Sequence, residues 1–202
     1  NNNICEIILV NDGSTDNTFS IAESYIKNDP RFHLLSYSQN KGKGYAIKYG
    51  IKESKGDYVF FSDLDMSVDW EVLPKALKSF DEGADVVVSS RRLKDSVIVV
   101  PQKWYRILLG WLYVFIANTI LNTNYSDITC GFKGFTRSSA ARLFSELKSE
   151  RWSFDAEILY KANILKLNVK EIAIIWKNDF NSKVSLSKDI FRSFSELIKI
   201  RN

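Results

Sequence analysis

Short apolar runs recur at residues 6–10, 32–37, 57–61 and 85–89, and segments of helical length and pattern separate them. This alternation constrains the fold more than any other feature. Parallel strands need crossovers of a dozen or more residues, and helices supply them. The expected fold class is therefore α/β, a mostly parallel sheet covered on both faces by helices. The turn Asn11-Asp12-Gly13-Ser14 ends the first run, and Ser14 or Thr15 is expected to cap a helix reaching about Lys27, with Asp16 in its first turn. Residues 41–55 and 69–80 read as the next two helices. At 202 residues the chain is long enough for one domain, 1–202, with a sizeable core.

The second half reads differently. Residues 107–121 are almost continuously apolar, and Trp104, Tyr105, Trp111, Tyr113 and Phe115 make the region aromatic. Fifteen or so residues fall short of the roughly 20 that a bilayer crossing takes, so no transmembrane span is expected. Lys103 and Arg106 precede the run. Two readings stand, a buried core helix and a helix lying in a membrane interface. Residues 132–135 are then expected as a strand, 138–147 and 154–165 as helices, and 169–176 as a strand. The tail 188–201 is helical and amphipathic, with Ile190, Phe191, Phe194, Leu197 and Ile198 opposed to Lys188, Arg192, Lys199 and Arg201. It either packs on the domain or lies on a bilayer. Segments 101–122 and 187–202 are thus the candidate interfacial helices.

Several classes of chemistry are disfavoured. The net charge of +4 is mild and no basic stripe with interleaved aromatics occurs, so nucleic acid is not an expected partner. Cys5 and Cys130 make no disulfide framework and no Cys/His group has zinc spacing. The single histidine, His33, is expected as a half-buried strand residue and makes a His-dependent triad improbable. The N-terminal asparagines lack signal-peptide character, which fits a reducing, cytoplasmic setting.

Acidic residues at strand ends carry the chemical signal. Asp63-Leu64-Asp65 directly follows the run Tyr58-Val59-Phe60-Phe61. Carboxylates at i and i+2 point the same way at the carboxyl end of a strand, where open α/β sheets bind ligands. Such a pair suits Mg2+ or Mn2+, and the cation suits a diphosphate. A solvated acidic turn is the alternative for the triplet alone. Asp12 follows a strand and can meet a nucleobase or ribose, or close an Asx-turn. Lys41-Gly42-Lys43-Gly44 is a loose phosphate loop without Walker spacing. Arg91-Arg92 follows the run of residues 86–90, and arginine there can grip a phosphate bidentately or simply face solvent. Paired carboxylates two residues apart do not suit a glycosidase, whose acids flank a glycosidic bond.

Taken in order, Asn11-Asp12-Gly13-Ser14-Thr15-Asp16, Asn40-Lys41-Gly42-Lys43-Gly44, Asp63-Leu64-Asp65, Ser89-Ser90-Arg91 and Asp127-Ile128-Thr129-Cys130-Gly131-Phe132-Lys133 resemble glycosyltransferase family 2 with the GT-A, Rossmann-like fold. Within it, residues 130–137 and Arg151-Trp152-Ser153-Phe154-Asp155 are similar to dolichyl-phosphate glucosyltransferases, with dolichyl-phosphate mannose synthases as near neighbours. The resemblance implies an inverting transferase moving a hexose from a nucleotide-sugar, UDP-glucose before GDP-mannose, to a polyprenyl or dolichyl phosphate. It implies a peripheral protein on the cytoplasmic face of a membrane, so a membrane surface is an expected partner.

By position in that family, Asp12, Lys43, Asp63, Leu64 and Asp65 would hold the nucleotide-sugar, and Asp63 and Asp65 the metal, with Ser67 nearby. Asp65, Arg91 and Asp127 would be the catalytic group. Arg91, Lys133, Trp152 and Asp155 would bind the acceptor. The sequence departs from the pattern in places. The family's first strand and its Pro-x-Tyr-Asn-Glu-like loop have no counterpart ahead of Ile4, which is expected to expose the apolar edge of residues 7–10. Asn11 stands for the usual Asp, Leu64 for Ala, and Ile128-Thr129 for Thr-Gln. A catalytically inactive GT-A module on a membrane and a metal-dependent nucleotidyltransferase are the alternatives, the second weakened by the lack of a Gly-rich loop before the first strand.

Overall fold

The computed structural model describes Ile4, residues 6–179 and residues 195–201. β1 (Ile7–Asp12) and β2 (Phe32–Tyr37) form a parallel pair in continuous register, joined by α1 (Thr18–Ile26). α2 (Lys43–Glu53) packs on β1 and leads to β3 (Tyr58–Ser62). α3 (Val72–Asp81) and β4 (Val86–Ser90) follow, then β5 (Val97–Val100), α4 (Trp104–Leu121), β6 (Phe132–Thr136), α5 (Arg137–Ser145), α6 (Phe154–Ile164), β7 (Val169–Ala173) and β8 (Ile175–Lys177).

The central sheet has the order β3-β6-β4-β7, while β1-β2 and β5-β8 are separate two-stranded ladders. The expectation of a mostly parallel sheet therefore needs correcting at its centre. β4 and β7 run parallel, but β6 is antiparallel to both β3 and β4. The chain leaves α4, loops back and enters β6 where β3 finishes, so Phe132 pairs with Ser62 and the strand runs the other way. Among the described residues β1 forms no ladder with β3. The side of β1 away from β2 lacks strand hydrogen bonds, and residues 7–10 are half-buried.

β4 explains why its sequence is a continuous apolar run. Val86, Val87 and Val88 are fully buried, and strand alternation sends them to opposite faces. Val86 and Val88 join Phe61, Phe135, Leu143, Phe154 and Ile158 on one side. Val87 joins Val72, Ala76, Phe132, Ile172 and Trp176 under α3 on the other. Each such side chain contributes on the order of 1.5–3 kcal/mol.

Several local expectations shift. The first helix starts at Thr18 with Asn17 at its N-cap position, so neither Ser14 nor Thr15 caps it; Asp16 accepts from the Thr18 N–H and hydroxyl, at 3.0 and 2.5 Å, in the turn just before. The strand expected over 169–176 breaks at Ile174 into β7 and β8, and β8 leaves the central sheet to pair with β5, which has no counterpart among the expected elements. His33 lies on β2 but is exposed. Cys130 is a free, buried thiol; Cys5 lies outside the described residues.

α4 is longer than its apolar run suggested. It holds 18 residues with a mean hydropathy of 1.3, enough by length and composition to cross a membrane, which corrects the argument that it is too short. Neither reading of it is complete. Val114, Ala117 and Leu121 are buried in the core with Tyr113, Ile116 and Ile120 packed beside them. Trp104, Leu108, Trp111, Leu112 and Phe115 are exposed. Residues 195–201 are helical, and Leu197 is fully enclosed in the main core. That part of the tail packs on the domain; residues 187–194 lie outside the described residues.

Candidate active site

The carboxyl ends of β1, β3 and β4 meet at one rim. At the end of β3 the chain turns sharply through Asp63-Leu64-Asp65, with Met66 in the left-handed region at φ 53°. The turn lets the Asp65 carboxylate accept from the Ser67 N–H at 2.9 Å. Residues 67–69 then run against β8: Lys177 N–H donates to the Ser67 carbonyl, Asp69 N–H to that of Ile175, and Val68 bridges Trp176. The acidic turn is thereby fastened to the β5–β8 ladder.

A cleft of about 200 Å3 opens here, lined by Asp63, Asp65, Ser67, Arg91, Gln102, Thr129, Trp152 and Trp176 among others. A larger groove of about 550 Å3 between α6 and the C-terminal helical segment holds none of the strand-end carboxylates. Asp63 and Asp65 both face the smaller cleft, and Leu64 points out to solvent, 78% exposed.

Asp63 has its own support. Its N–H donates to the Gly131 carbonyl at 3.2 Å, and Gly131 comes so close that a Cβ there would lie 2.3 Å from Asp63 Oδ2. Only glycine fits that contact. The other Asp63 oxygen pairs with Lys43 Nζ at 2.6 Å. Lys43 begins α2 and its ammonium lies over the rings of Trp152 and Phe154, at 5.6 and 5.7 Å. Burial would depress its pKa, yet the charges of Asp155 and Asp63 outweigh that and raise it, so Lys43 is a firm cation at the rim.

Asp12 stands at the end of β1. Its two oxygens accept from the backbone N–H groups of Lys41 and Gly42, at 2.7 and 2.9 Å. Gly42 takes a φ of 106°, and the chain at Glu150 and Arg151 packs directly on it. The first observable work of Asp12 is thus to fix the loop from which Lys43 projects. Lys41 folds away onto Tyr45, 4.2 Å from its ring.

Arg91 at the end of β4 closes on Asp127 through Nε at 2.6 Å and Nη2 at 2.9 Å, and Nη2 also donates to Thr129 Oγ1. Asp127 is fully buried. Burial pushes its carboxyl up, but the Arg91 charge and bonds prevail and hold it below the usual range. Asp127, expected in the catalytic group, is enclosed and meets the cleft through Arg91, which lines it. Arg92 turns away, stacking on Trp111 of α4 at 4.2 Å and donating to the Ser126 carbonyl.

Lys133 and Asp155 also differ from expectation. Lys133 is fully buried on β6, paired with the buried Asp155 and donating to the Cys130 carbonyl at 2.9 Å. Both residues, expected at the acceptor, are thus enclosed and partnered within the fold. Trp152 is different, half exposed at the cleft mouth. Thr129 lies in a motif the sequence already showed, but Gln102 and Trp176 were not singled out as site residues. Gln102 lies in the connector before α4, and Trp176, though within an expected strand, reaches the cleft only because β8 breaks away to pair with β5, so no motif marked them.

Asp63 and Asp65 are the carboxylates lining the cleft, with neutral oxygens of Ser62, Ser67, Gln102 and Thr129 beside them, and the described residues hold no group of three or more His, Cys, Asp or Glu that could grip a metal alone. This set fits a hard divalent cation that shares its coordination with phosphate oxygens and water.

The architecture, a mixed sheet with helices on both faces and a carboxylate pair at the rim, is that of the GT-A glycosyltransferases. The chain belongs to glycosyl transferase family 2, whose family description matches residues 1–144. It is 36% identical over 203 residues to a dolichyl-phosphate beta-glucosyltransferase of Dictyostelium discoideum, covering 93% of this chain and 62% of the relative. It is 33% identical over 187 residues to the Homo sapiens protein of the same name, covering 89% and 58%. The chain thus spans less than two thirds of the length of either. Among solved structures it resembles glucosyl-3-phosphoglycerate synthase from Mycobacterium tuberculosis in complex with Mn2+ and UDP-glucose, with a TM-score of 0.70, 17% identity, and coverage of 96% of this chain and 67% of that one.

Proposed function

We propose that the protein transfers a hexose, glucose from UDP-glucose before mannose from GDP-mannose, to a polyprenyl phosphate of the dolichyl type. The observation that carries this reading is the placement of Asp63, Asp65, Lys43 and Arg91 around one cleft, two anions and two cations with no histidine. The names of the relatives support the lipid acceptor, and the Mn2+ and UDP-glucose in a structural neighbour support the metal and donor classes.

In this reading Asp63 and Asp65 would hold Mg2+ or Mn2+, which when bound would supply positive charge against the departing diphosphate. Lys43 projects from the loop fixed by Asp12 and adds a second positive charge there. Asp12 and the Lys41–Gly42 backbone border the nucleoside. Arg91, locked in orientation by Asp127, faces the acceptor phosphate, with Trp152 forming the opposite wall. An acceptor phosphate oxygen forms the new bond to the anomeric carbon as the bond to the diphosphate breaks, inverting that carbon. The acceptor is already an anion, so no strong general base is needed. The chain's task is to align two anions and screen their repulsion.

The acceptor class also gives the exposed apolar surface a purpose. Val97, Ile98 and Val99 of β5, shortly before α4 in the chain, are exposed like the outer face of that helix, and Lys94 and Lys103, which flank β5 in sequence, are exposed too. Apolar side chains with a cationic rim suit the headgroup boundary of an anionic leaflet. We read this face as the peripheral membrane contact, on the cytoplasmic side. Calorimetry with UDP and GDP in the presence of Mn2+, followed by transfer of labelled hexose to dolichyl phosphate, tests the reading. UDP binding with transfer is expected. GDP binding with mannose transfer moves the donor assignment, and no nucleotide binding favours an inactive module.

A further inference from the structure

Four charges of alternating sign run from the core to the cleft: Lys133 on β6, Asp155 on α6, Lys43 on α2 and Asp63 beyond β3. We propose that the buried Lys133–Asp155 pair is a positioning device for Asp63 and Lys43, setting how the site receives a metal-bound diphosphate. This inference rests on the function proposed above.

Lys133 occupies a strand position where an apolar side chain would pack as well. The flanking residues of β6, Phe132, Gly134 and Phe135, are buried. Taking an ion pair out of water is expensive, and replacing one with apolar groups is often neutral or stabilising. Packing alone therefore gives no reason for an ammonium here. Its contacts do. Lys133 donates to the Cys130 carbonyl at 2.9 Å, pairs with Asp155 and lies 5.5 Å from the Phe61 ring centre. The Cys130 carbonyl belongs to the peptide that leads into Gly131. Gly131 accepts the Asp63 N–H and abuts its carboxylate. By holding that peptide, Lys133 fixes the surface on which Asp63 rests.

Asp155 works on the other member. It stands in the first turn of α6, buried, and its charge acts on both Lys133 and Lys43. Asp63 is the nearer partner of Lys43 but is also the carboxylate that a metal would engage. When a cation takes the Asp63 oxygens, Asp155 remains as the countercharge that keeps Lys43 at the rim, its ammonium turned to the diphosphate. Neither Lys133 nor Asp155 touches substrate; both act through residues that do.

The double variant Lys133→Met/Asp155→Leu replaces the pair with apolar side chains of similar size. Thermal unfolding, calorimetric binding of UDP with Mn2+, and the KM values for donor and acceptor are then compared with the unaltered chain. The expected result is retained folding with UDP–Mn2+ affinity weakened by about tenfold or more, the scale found for residues that orient metal ligands. Donor KM should rise and acceptor KM stay constant, a split that general loosening of the fold would not produce. Asp155→Glu should recover part of the affinity. If the double variant does not fold, Asp155→Asn, which keeps the side chain's shape, carries the same expectation. Unchanged UDP–Mn2+ affinity in a folded variant overturns the proposal. Failure of the unaltered chain to bind either nucleotide overturns the functional reading instead.

Discussion

Arg91 grips Asp127 with two nearly parallel bonds, 2.6 Å from Nε and 2.9 Å from Nη2, while the carboxylate is sealed from solvent. The fork makes the end of β4 and the 126–131 loop one rigid piece. Arg91→Lys keeps the charge but loses the planar fork. It should lower stability by about 1.5–3 kcal/mol, and the melting temperature by about 2–4 °C for each of those kcal/mol. Arg91→Ala should cost more, because it strands a buried carboxylate. Equal melting temperatures for Arg91→Lys and the unaltered chain would remove the structural weight assigned to the fork.

The same pair sets the response to acid. Asp127 is held below the usual carboxylate range, with burial opposing and Arg91 prevailing. Glu157 is also lowered: burial again opposes, and Lys161, Lys148 and Ser149 bonds prevail. A folded-state pKa below the unfolded one contributes stability above the unfolded value and loses it as pH falls through the folded one. Stability should therefore be flat above about pH 5 and fall steeply below about pH 4. Chemical denaturation across that range should show a shallower acid limb for Asp127→Asn, and an identical limb would show that Asp127 does not drive it.

Metal dependence is tested at Asp65. Asp65→Asn removes a ligand charge with little change of shape, and its side chain is exposed, so the fold should survive. Transfer should be abolished, and Asp63→Asn should also impair it. Full activity of Asp65→Asn in excess EDTA would end the metal assignment.

Gly131→Ala separates site from scaffold. A Cβ there meets Asp63 Oδ2, the movable end of a side chain, so unfolding should shift little. Asp63 must rotate, and Mn2+-dependent nucleotide affinity should fall at least several-fold. A large loss of stability with normal affinity would contradict this account.

Membrane attachment should show in flotation with anionic liposomes. Replacing Trp111 and Phe115 by Ser, or Val97 and Val99 by Ser, should each reduce binding, and high salt should weaken it, since basic residues near an anionic surface contribute roughly 1 kcal/mol apiece. All four residues are exposed, so the fold should hold. Liposome binding unaffected by both changes would place the contact elsewhere.

Much of this was legible in the residues. The β4 run of three valines and the triplet after β3 announced a buried strand and an acidic rim, because both are local patterns: an unbroken apolar run marks a strand covered on both faces, and carboxylates at i and i+2 share one side. The antiparallel entry of β6 was not legible, since Phe132 to Thr136 carries no mark of direction and the reversal follows from the path after α4. The burial of Lys133 and Asp155 against each other was not legible either: the residue types show a charge, while burial depends on β3 and β4 closing around β6. Gln102 and Trp176 entered the cleft through the β5–β8 ladder, a pairing between segments far apart along the chain with no turn signal to reveal it.

Among the described residues Asp12 and Asp63 stand at the ends of different sheets, and this has a thermodynamic consequence. α2 joins the two sheets, packing on β1 while Ile47 and Ile51 reach the main core, and the Lys41–Lys43 loop links the two carboxylates directly. A molecule long enough to touch both carboxylate regions spans the joint between two bodies and rivets them. Occupancy and folding then share one equilibrium: each tenfold excess of such a molecule over its dissociation constant adds about 1.4 kcal/mol to the cohesion of the joint.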